Sequence, residues 1–576
     1  MNFEAHAKYN SWLFHETDPA LRAELEAIKG NDSEIESRFA ADLEFGTGGL
    51  RGVLGAGTDR MNIRSVGRAT QGLAAYLNAN FANPSCAIGY DSRHCSEEFA
   101  RTSACILAAN GVRVWIYPSL RPTPMLSFAV RRLHCSSGIV ITASHNPSQY
   151  NGYKCYDSNG YQMTDEAAAE TFRYIKAVDP YKDVRTMGFE EAIVSGLVSY
   201  IGEEIDNDFY NAVLGLRLDP ELPARSDLKI IYTPLNGAGN IPVRRILSDM
   251  GFPEDNVRVV LSQEKPDGDF PTCPYPNPEI RQVFEEAFAM TSEFPADLII
   301  ATDPDCDRVG LAVRRPDGTY SLLTGNETGC LLADYILSRR AELGTLPQSP
   351  IVVKTIVTTP LISAITAASG GVIYDLLTGF KYIGELITTL EKAGEANRFV
   401  FGLEESYGYL TGAHVRDKDA VNAAMLTAEM AAYYKERGVD LRERMEQLYA
   451  QYGMYLCTQQ NFQFAGENAM ARMQAIMTGL RANIPTQVAG LDVVSVADYL
   501  EGTYKDLAAG TVTEITLPKS NVISLGLPGG SKVIIRPSGT EPKVKAYITA
   551  HCADRADAVV LTDLIAADIK KILGIE

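Results

Sequence analysis

The chain has 576 residues, and at about 100 to 200 residues per domain it must fold as several domains rather than one. With 46% apolar and 22% charged residues it has the composition of ordinary globular protein, which excludes disordered and collagen-like classes. Lys and Arg total 53 against 72 Asp and Glu, a net charge of -19, which argues against a general binder of nucleic acid or anionic membrane, since both need a basic face.

Residues 1–40 read as a polar, helical extension. They are acidic early and carry no apolar run of signal-peptide length. No stretch of the chain approaches about 18 uninterrupted apolar residues, so a soluble protein without a membrane partner is expected. Ten cysteines are scattered without a CxxC pair or a His at zinc spacing, as buried thiols of a reducing compartment are, and the expected location is cytoplasmic.

Beyond residue 40, short β-branched runs alternate with helical stretches, the pattern of α/β layers on mainly parallel strands. A helix is predicted over 98–109, stopped by Asn110-Gly111 and followed by a strand at 112–117. Further strands are predicted at 139–142, 228–232, 298–302, 351–354 and 399–401, each running straight into Gly, Pro, Ser, Thr or Asp. Ligands of open α/β sheets collect at the carboxyl ends of strands, so these exits are where chemistry belongs. Seams near 205, near 318 and at 440–455 divide the chain into three similar mixed or parallel α/β domains, 41–205, 206–318 and 319–445. A C-terminal α+β domain, 446–576, follows, with strands at 532–535 and 544–549 on either side of a loop.

Five loops carry the chemical signals. Thr142-Ala143-Ser144-His145-Asn146-Pro147 presents a serine at a strand exit. Such a serine is ordinarily a turn residue, but with Lys154 close in sequence it suits a nucleophile or phosphate carrier whose charge a lysine stabilises. Asp303-Pro304-Asp305-Cys306-Asp307-Arg308 sets three carboxylates at alternate positions. They repel one another unless a cation neutralises them, and hard oxygen ligands point to Mg²⁺ or a similar divalent ion. An EF-hand is rejected, because Arg308 stands where its Gly is required and Arg314 where its Glu is; Arg308 is available to orient the carboxylates or contact a phosphate.

The third loop, Gly402-Leu403-Glu404-Glu405-Ser406-Tyr407-Gly408, offers Glu404 and Ser406 to sugar hydroxyls, with a capping turn as the plainer alternative. The fourth, Thr378-Gly379-Phe380-Lys381, puts an aromatic and a cation on a tight turn. The fifth, Arg536-Pro537-Ser538-Gly539-Thr540-Glu541-Pro542-Lys543, has the donors of an anion nest for a phosphate monoester. Walker A and dinucleotide fingerprints are both missing; Gly46-Thr47-Gly48-Gly49-Leu50-Arg51 fails the latter at Arg51.

A serine carrier, a metal cage, a hydroxyl-binding carboxylate and a phosphate nest together suit one reaction, the movement of a phosphoryl group between two positions of a sugar through a phosphoserine. In these motifs and their order the chain resembles the α-D-phosphohexomutase family, the phosphoglucomutases and phosphomannomutases. Phe45-Gly46-Thr47-Gly48-Gly49-Leu50-Arg51-Gly52, Gly89-Tyr90-Asp91-Ser92-Arg93 and Thr233-Pro234-Leu235-Asn236-Gly237 support the resemblance, which runs over about 40–550. The length and Leu377-Thr378-Gly379-Phe380-Lys381-Tyr382 look most like the long subfamily of bacterial phosphoglucomutases and animal phosphopentomutases.

The resemblance implies four domains around a central cleft, with Ser144 phosphorylated and Mg²⁺ held by that phosphoserine with Asp303, Asp305 and Asp307. It also implies a bisphosphorylated sugar, glucose 1,6-bisphosphate for the glucose enzyme, as intermediate and activator. Ser144, His145, Lys154 and Arg51 are the implied catalytic group. Arg308, Thr378, Gly379, Lys381, Glu404, Ser406, Lys418, Arg536, Ser538, Gly539, Thr540 and Lys543 are the implied substrate contacts. Where some members have Gly-Glu-Met-Ser-Gly-His in the sugar loop, this chain has Gly408 at the histidine position, so that group's role is absent or filled otherwise. Glucose phosphates are the expected substrates, with mannose or pentose phosphates as rivals. A phosphatase using Asp303 or a non-enzymatic sugar-phosphate sensor are the more distant readings. No motif speaks to oligomeric state.

Overall fold

The computed structural model describes residues 2–46, 48–464, 469–538 and 543–575. The chain divides into two compact units, Met1–Gly325 with Phe380–Asp440, and Asn326–Gly379 with Leu441–Glu576.

The first unit begins with three helices, Phe3–His15, Pro19–Ala27 and Asp32–Phe39, each started by a side-chain cap from Asn2, Asp18 or Asn31. Their apolar faces close on Tyr9, Trp12, Leu25, Ile35 and Phe39. The helical extension read from the sequence is therefore a packed element. It grips the 54–62 loop, where Glu24 Oε2, also bonded by Arg38 Nη1 at 2.9 Å, accepts from Ala56 N at 3.0 Å, and the helix Ile63–Asn80 after it, where Arg64 gives the buried Glu16 a forked bond.

A six-stranded sheet follows, in the order Gly49–Val53, Tyr150–Asp157, Ser137–Ile141, Ser85–Tyr90, Arg113–Ile116, Val198–Tyr200. The last four strands are parallel, as the alternating pattern predicts. The first two run antiparallel, with Gly49 opposite Lys154 and Lys154 opposite Val140, so the sheet is mixed. The predicted 98–109 helix spans Ser96–Ala109, and Gly111 takes the left-handed φ of +77° that stops it.

The second sheet orders Tyr320–Leu323, Val309–Arg314, Leu298–Thr302, Ile230–Thr233, Val257–Val259. Its central strand Leu298–Thr302 is buried at every residue and makes an antiparallel hairpin with Val309–Arg314, so the 303–308 loop is a hairpin connection anchored at both ends. The return segment adds the helix Phe380–Lys392, the hairpin Phe399–Glu404 and Gly408–Leu410, and the helix Ala420–Glu436 capped by Asp419.

The second unit holds the helix Gly325–Glu342 almost entirely and the parallel pair Ile351–Thr355 and Val372–Leu376. Its larger part is a seven-stranded antiparallel sheet running from Met454–Gln463 through Lys543–Cys552 and Lys532–Pro537 to a meander ending at Thr511–Glu514. Helices Ala469–Ala482 and Arg555–Ile572 bury Met473, Met477, Ile565 and Ile569 in a core with Ile535 and Ile548. This is the expected α+β element, enlarged by the meander. All ten cysteines are free, and all but Cys95, Cys457 and Cys552 are buried. Among the described residues no helix is long and apolar enough to cross a membrane.

Candidate active site

Ser144 leaves the buried strand Ser137–Ile141 through Thr142, whose Oγ1 accepts from Ser144 N at 2.8 Å. Its φ of +53° lies in the left-handed region, a conformation that costs a non-glycine residue about 1–3 kcal/mol and persists only where the surroundings enforce it. Arg93 does the enforcing. Its guanidinium donates to the carbonyls of Ser144 at 2.5 Å, Pro147 at 2.8 Å, Tyr150 at 3.1 Å and Asn146. It lies over the Phe270 ring and beside the buried Asp91 carboxylate, which also accepts from Arg93 N and Ser96 Oγ. Ser144 Oγ donates to Asp303 Oδ2 at 2.8 Å and lies 3.2 Å from His145 Nδ1. Burial, then the charges of Arg308 and Arg51, hold His145 well below its ordinary pKa. Arg51 projects from the strand Gly49–Val53 and donates to Asn146 Oδ1 at 3.2 Å.

Asp303, Asp305 and Asp307 are all buried, and one oxygen of each lies within 4.8 Å of the others. Asp303 is bonded through both oxygens, Asp305 and Asp307 through one each. Asp303 Oδ1 accepts from the amides of Asp307 and Arg308 at 3.1 and 3.0 Å. Asp305 Oδ2 accepts from Lys154 Nζ at 2.8 Å and Thr123 Oγ1 at 2.9 Å. Asp307 Oδ2 lies 3.5 Å from Lys154 Nζ and 3.2 Å from Lys418 Nζ. The remaining oxygens, Asp305 Oδ1 and Asp307 Oδ1, are buried without a hydrogen bond, Asp307 Oδ1 having only the Arg308 guanidinium nearby at 3.8 Å. Orphaned carboxylate oxygens among hard donors are what a divalent cation of the Mg²⁺ kind requires, so the residues fit one.

The charges follow this geometry. Burial, then the neighbouring carboxylates, push Asp303 well up, whereas Asp305 is held below the carboxylate range by Lys154 in spite of its burial. Lys154 and Lys418 are likewise buried yet raised, Lys154 by Asp305 and Asp307, Lys418 by Asp307 and Asp417. Arg308 Nη1 bonds Glu279 at 3.0 Å, and its Nε lies 3.8 Å from Asp307 Oδ1.

Glu404 is buried at the end of the strand Phe399–Glu404, and Ser406 lies partly exposed in the turn after it. Tyr407 O accepts from Val309 N at 3.0 Å, which ties this turn to the exit of the acidic loop. The absent histidine has a physical reason here. A Cβ on Gly408 would lie 2.1 Å from Lys418 Cδ, so the lysine stem fills the space that a side chain at 408 would enter. Asp417 holds the lysine's head at 3.1 Å and itself accepts from Tyr156 OH at 2.6 Å. Lys381 does not join this group of cations; its Nζ bonds Asp165 Oδ1 at 2.6 Å, and Tyr382 OH bonds the other oxygen.

In the second unit, Thr378 and Gly379 follow the strand Val372–Leu376, Thr378 with a buried Oγ1 that has no hydrogen-bond partner and Gly379 with φ +127°. Arg536 lies in the strand Lys532–Pro537, and Ser538 N donates to Lys543 O at 2.8 Å, closing the hairpin base. Gly539 and Thr540 lie outside the described residues.

Sequence reasoning missed Asp91 and Arg93 as a brace, Thr123, Glu279 and Asp417. An Asp-x-Arg at a strand exit and a threonine between two prolines at a helix start are local signals, but their targets are backbone carbonyls and a carboxylate far along the chain.

Three family models describing the phosphoglucomutase/phosphomannomutase α/β/α domains I, II and III match residues 42–182, 207–318 and 324–452. The chain belongs to the phosphoglucomutase/phosphomannomutase family. It is 37% identical over 528 residues to a phosphoglucomutase of Staphylococcus epidermidis, covering 91% of this chain and 94% of that one. It is 36% identical over 531 residues to a phosphoglucomutase of Staphylococcus aureus, covering 91% and 93%. Its fold is similar to that of a putative phosphomannomutase from Thermus thermophilus, with a TM-score of 0.67 and 22% identity over 93% of this chain and 99% of that one. The phosphoglucomutase parafusin from Paramecium gives a TM-score of 0.66 at 16% identity, over 93% and 97%. Three α/β/α domains and a β-rich C-terminal domain thus make up the fold.

Proposed function

We propose that this chain is a phosphoglucomutase that interconverts glucose 1-phosphate and glucose 6-phosphate through phosphorylated Ser144 and a glucose 1,6-bisphosphate intermediate. The observation that carries the reading is the bond from Ser144 Oγ to Asp303 within a buried carboxylate triad, a phosphoryl carrier set against a metal-binding cluster. Relatives covering most of the chain bear the name phosphoglucomutase, which supports glucose over other sugars.

In this reading the domains are 41–205, 206–318, 319–445 and 446–576, and phosphorylated Ser144 with Asp303, Asp305 and Asp307 holds Mg²⁺. When bound, the ion neutralises charge on the phosphoryl group and polarises its oxygens. A sugar hydroxyl attacks the phosphorus, the bond to Ser144 Oγ breaks, and the proton lost by the hydroxyl is balanced by the one that the freed Ser144 oxygen takes up. After the bisphosphate turns, its other phosphoryl returns to Ser144, so the enzyme ends as it began. Lys154, kept protonated by two aspartates, stabilises the transferring charge rather than accepting the proton. Lys418, whose stem fills the space beside Gly408, supplies a cation to Asp307. His145 and Arg51 act beside Ser144, Glu404 and Ser406 bind sugar hydroxyls, and Arg308, Thr378 and Gly379 add donors. The 536–543 loop, with Arg536, Ser538, Gly539, Thr540 and Lys543, is the nest for a phosphate.

The test is a coupled assay of wild type and Ser144→Ala on glucose, mannose and ribose 1-phosphates, with Mg²⁺ and a bisphosphate primer, alongside intact-protein mass. Wild type turns over the glucose phosphate, and the alanine variant loses both turnover and the phosphoryl mass increment. Turnover surviving in Ser144→Ala, or a wild type inactive on all three sugars, refutes the reading.

A further inference from the structure

Asp305 is the aspartate whose two oxygens differ most sharply. Oδ2 is satisfied from two directions, by Lys154 Nζ at 2.8 Å and Thr123 Oγ1 at 2.9 Å, while Oδ1 is buried and has no hydrogen-bond partner. Thr123 comes from a distant part of the chain, opening the helix Thr123–Arg132 between Pro122 and Pro124, and it is fully buried. It meets Asp305 twice, because its backbone N also donates to Asp305 O at 2.9 Å. A hydroxyl at a helix start commonly serves the helix's own amides. This helix start has no side-chain cap bond, and the Thr123 hydroxyl is spent on the carboxylate instead.

We propose that Thr123 is a positioning residue for the divalent cation: with Lys154 it pins Asp305 Oδ2 and so fixes the carboxylate plane with Oδ1 turned toward the ion. The inference rests on the reading that the three aspartates hold a metal. A carboxylate torsion is broad and roughly two-fold, and an ammonium on a flexible stem is a point charge that does not set a plane by itself. A second donor from a rigid helix start does. Partners of this kind, outside the ligands themselves, typically contribute 10- to 100-fold in metal affinity when removed.

The experiment is a direct Mn²⁺ titration, followed by electron paramagnetic resonance, of full-length protein stripped by chelator, in wild type, Thr123→Val and Thr123→Ser. Valine keeps the β-branched shape and the backbone bond to Asp305 O and removes only the hydroxyl. The Mn²⁺ dissociation constant is expected to rise about tenfold or more in Thr123→Val and to stay near wild type in Thr123→Ser. At saturating metal the kcat of the valine variant returns toward that of wild type, which a misfolded site would not allow. A valine variant that melts earlier yet binds Mn²⁺ as tightly as wild type overturns the proposal, since Thr123 is then merely structural. If valine prevents folding, Thr123→Ala against Thr123→Ser decides by the same titration. A wild type that takes up no Mn²⁺ fails the metal reading itself, a result separable from equal binding by wild type and variant.

Discussion

Replacing Gly408 by alanine puts the packing of Lys418 under direct load. The added Cβ lies 2.1 Å from Lys418 Cδ and 2.6 Å from Cγ, where non-bonded carbons settle at about 3.5–4.0 Å. The stem must therefore retreat by roughly 1.5 Å. Its head is not free to follow, because Nζ lies 3.2 Å from Asp307 Oδ2 and 3.1 Å from Asp417 Oδ1. A shift of that size takes at least one contact beyond hydrogen-bond range and removes positive charge from Asp307, whose Oδ1 already lacks a hydrogen bond. Overpacking of this kind costs ~1–3 kcal/mol of stability, and misplacing a group by about 1 Å at a reacting centre lowers the rate ~10²-fold. The assay is kcat and KM at saturating Mg²⁺ together with a thermal melt, for Gly408→Ala, Lys418→Ala and the double variant. The clash disappears when Lys418 is shortened, so the second substitution should cost little on top of Lys418→Ala. A Gly408→Ala enzyme with wild-type kcat, or effects that add in full in the double variant, would refute the reasoning.

Arg93→Met leaves the Asp91 carboxylate buried without its cation and frees the carbonyls that hold Ser144. A loss of about 3–5 kcal/mol is expected, read as a lower melting temperature with a depressed kcat. Arg93→Lys restores charge but not the fork and stays slower than wild type; full activity in the lysine variant would show that charge alone suffices. Lys532 donates to Ile356 O at 2.9 Å, and burial, then the Lys354 ammonium, lowers its pKa to about 8. An unfolded lysine titrates near about 10.4, so between these values the unfolded chain binds more protons and stability rises with pH. The gain is lost as pH falls through about 8, and its ceiling is about 3 kcal/mol. Urea midpoints at about pH 7.5 and 9.5 should show a steeper rise in wild type than in Lys532→Met; equal slopes would count against the buried-charge explanation.

Much of the fold was legible because buried strands announce themselves. Leu298–Thr302 and Ser137–Ile141 are short apolar runs stopped by polar turns, and the reactive loops sit at their ends. The antiparallel course of Tyr150–Asp157 was not legible, since its residues alternate no differently from those of a parallel strand. The acidic loop was readable as a metal cage from mutual repulsion alone. Which oxygen of Asp305 and of Asp307 is tethered depends on Thr123, Lys154 and Lys418, which only folding brings together. Lys381 shows the same limit from the other side, since its bond to Asp165 is set by a helix more than two hundred residues earlier. The extension at 1–40 was recognisable as helix, but its grip on the 54–62 loop through Glu24 and on Arg64 of the following helix through Glu16 has no signature in local pattern.

The first unit is interrupted: the chain leaves it after Gly325 and returns at Phe380, and Lys418 lies on the returning segment. On the ribosome, Asp303, Asp305 and Asp307 therefore emerge more than a hundred residues ahead of Lys418, one of the cations that meet Asp307. At about 5–20 residues per second that interval is on the order of ten seconds. During it Lys154 is the only one of the two lysines present to offset three converging carboxylates. The charge around the acidic loop is therefore completed only by the returning segment, a long-range requirement inside what is otherwise a local hairpin turn.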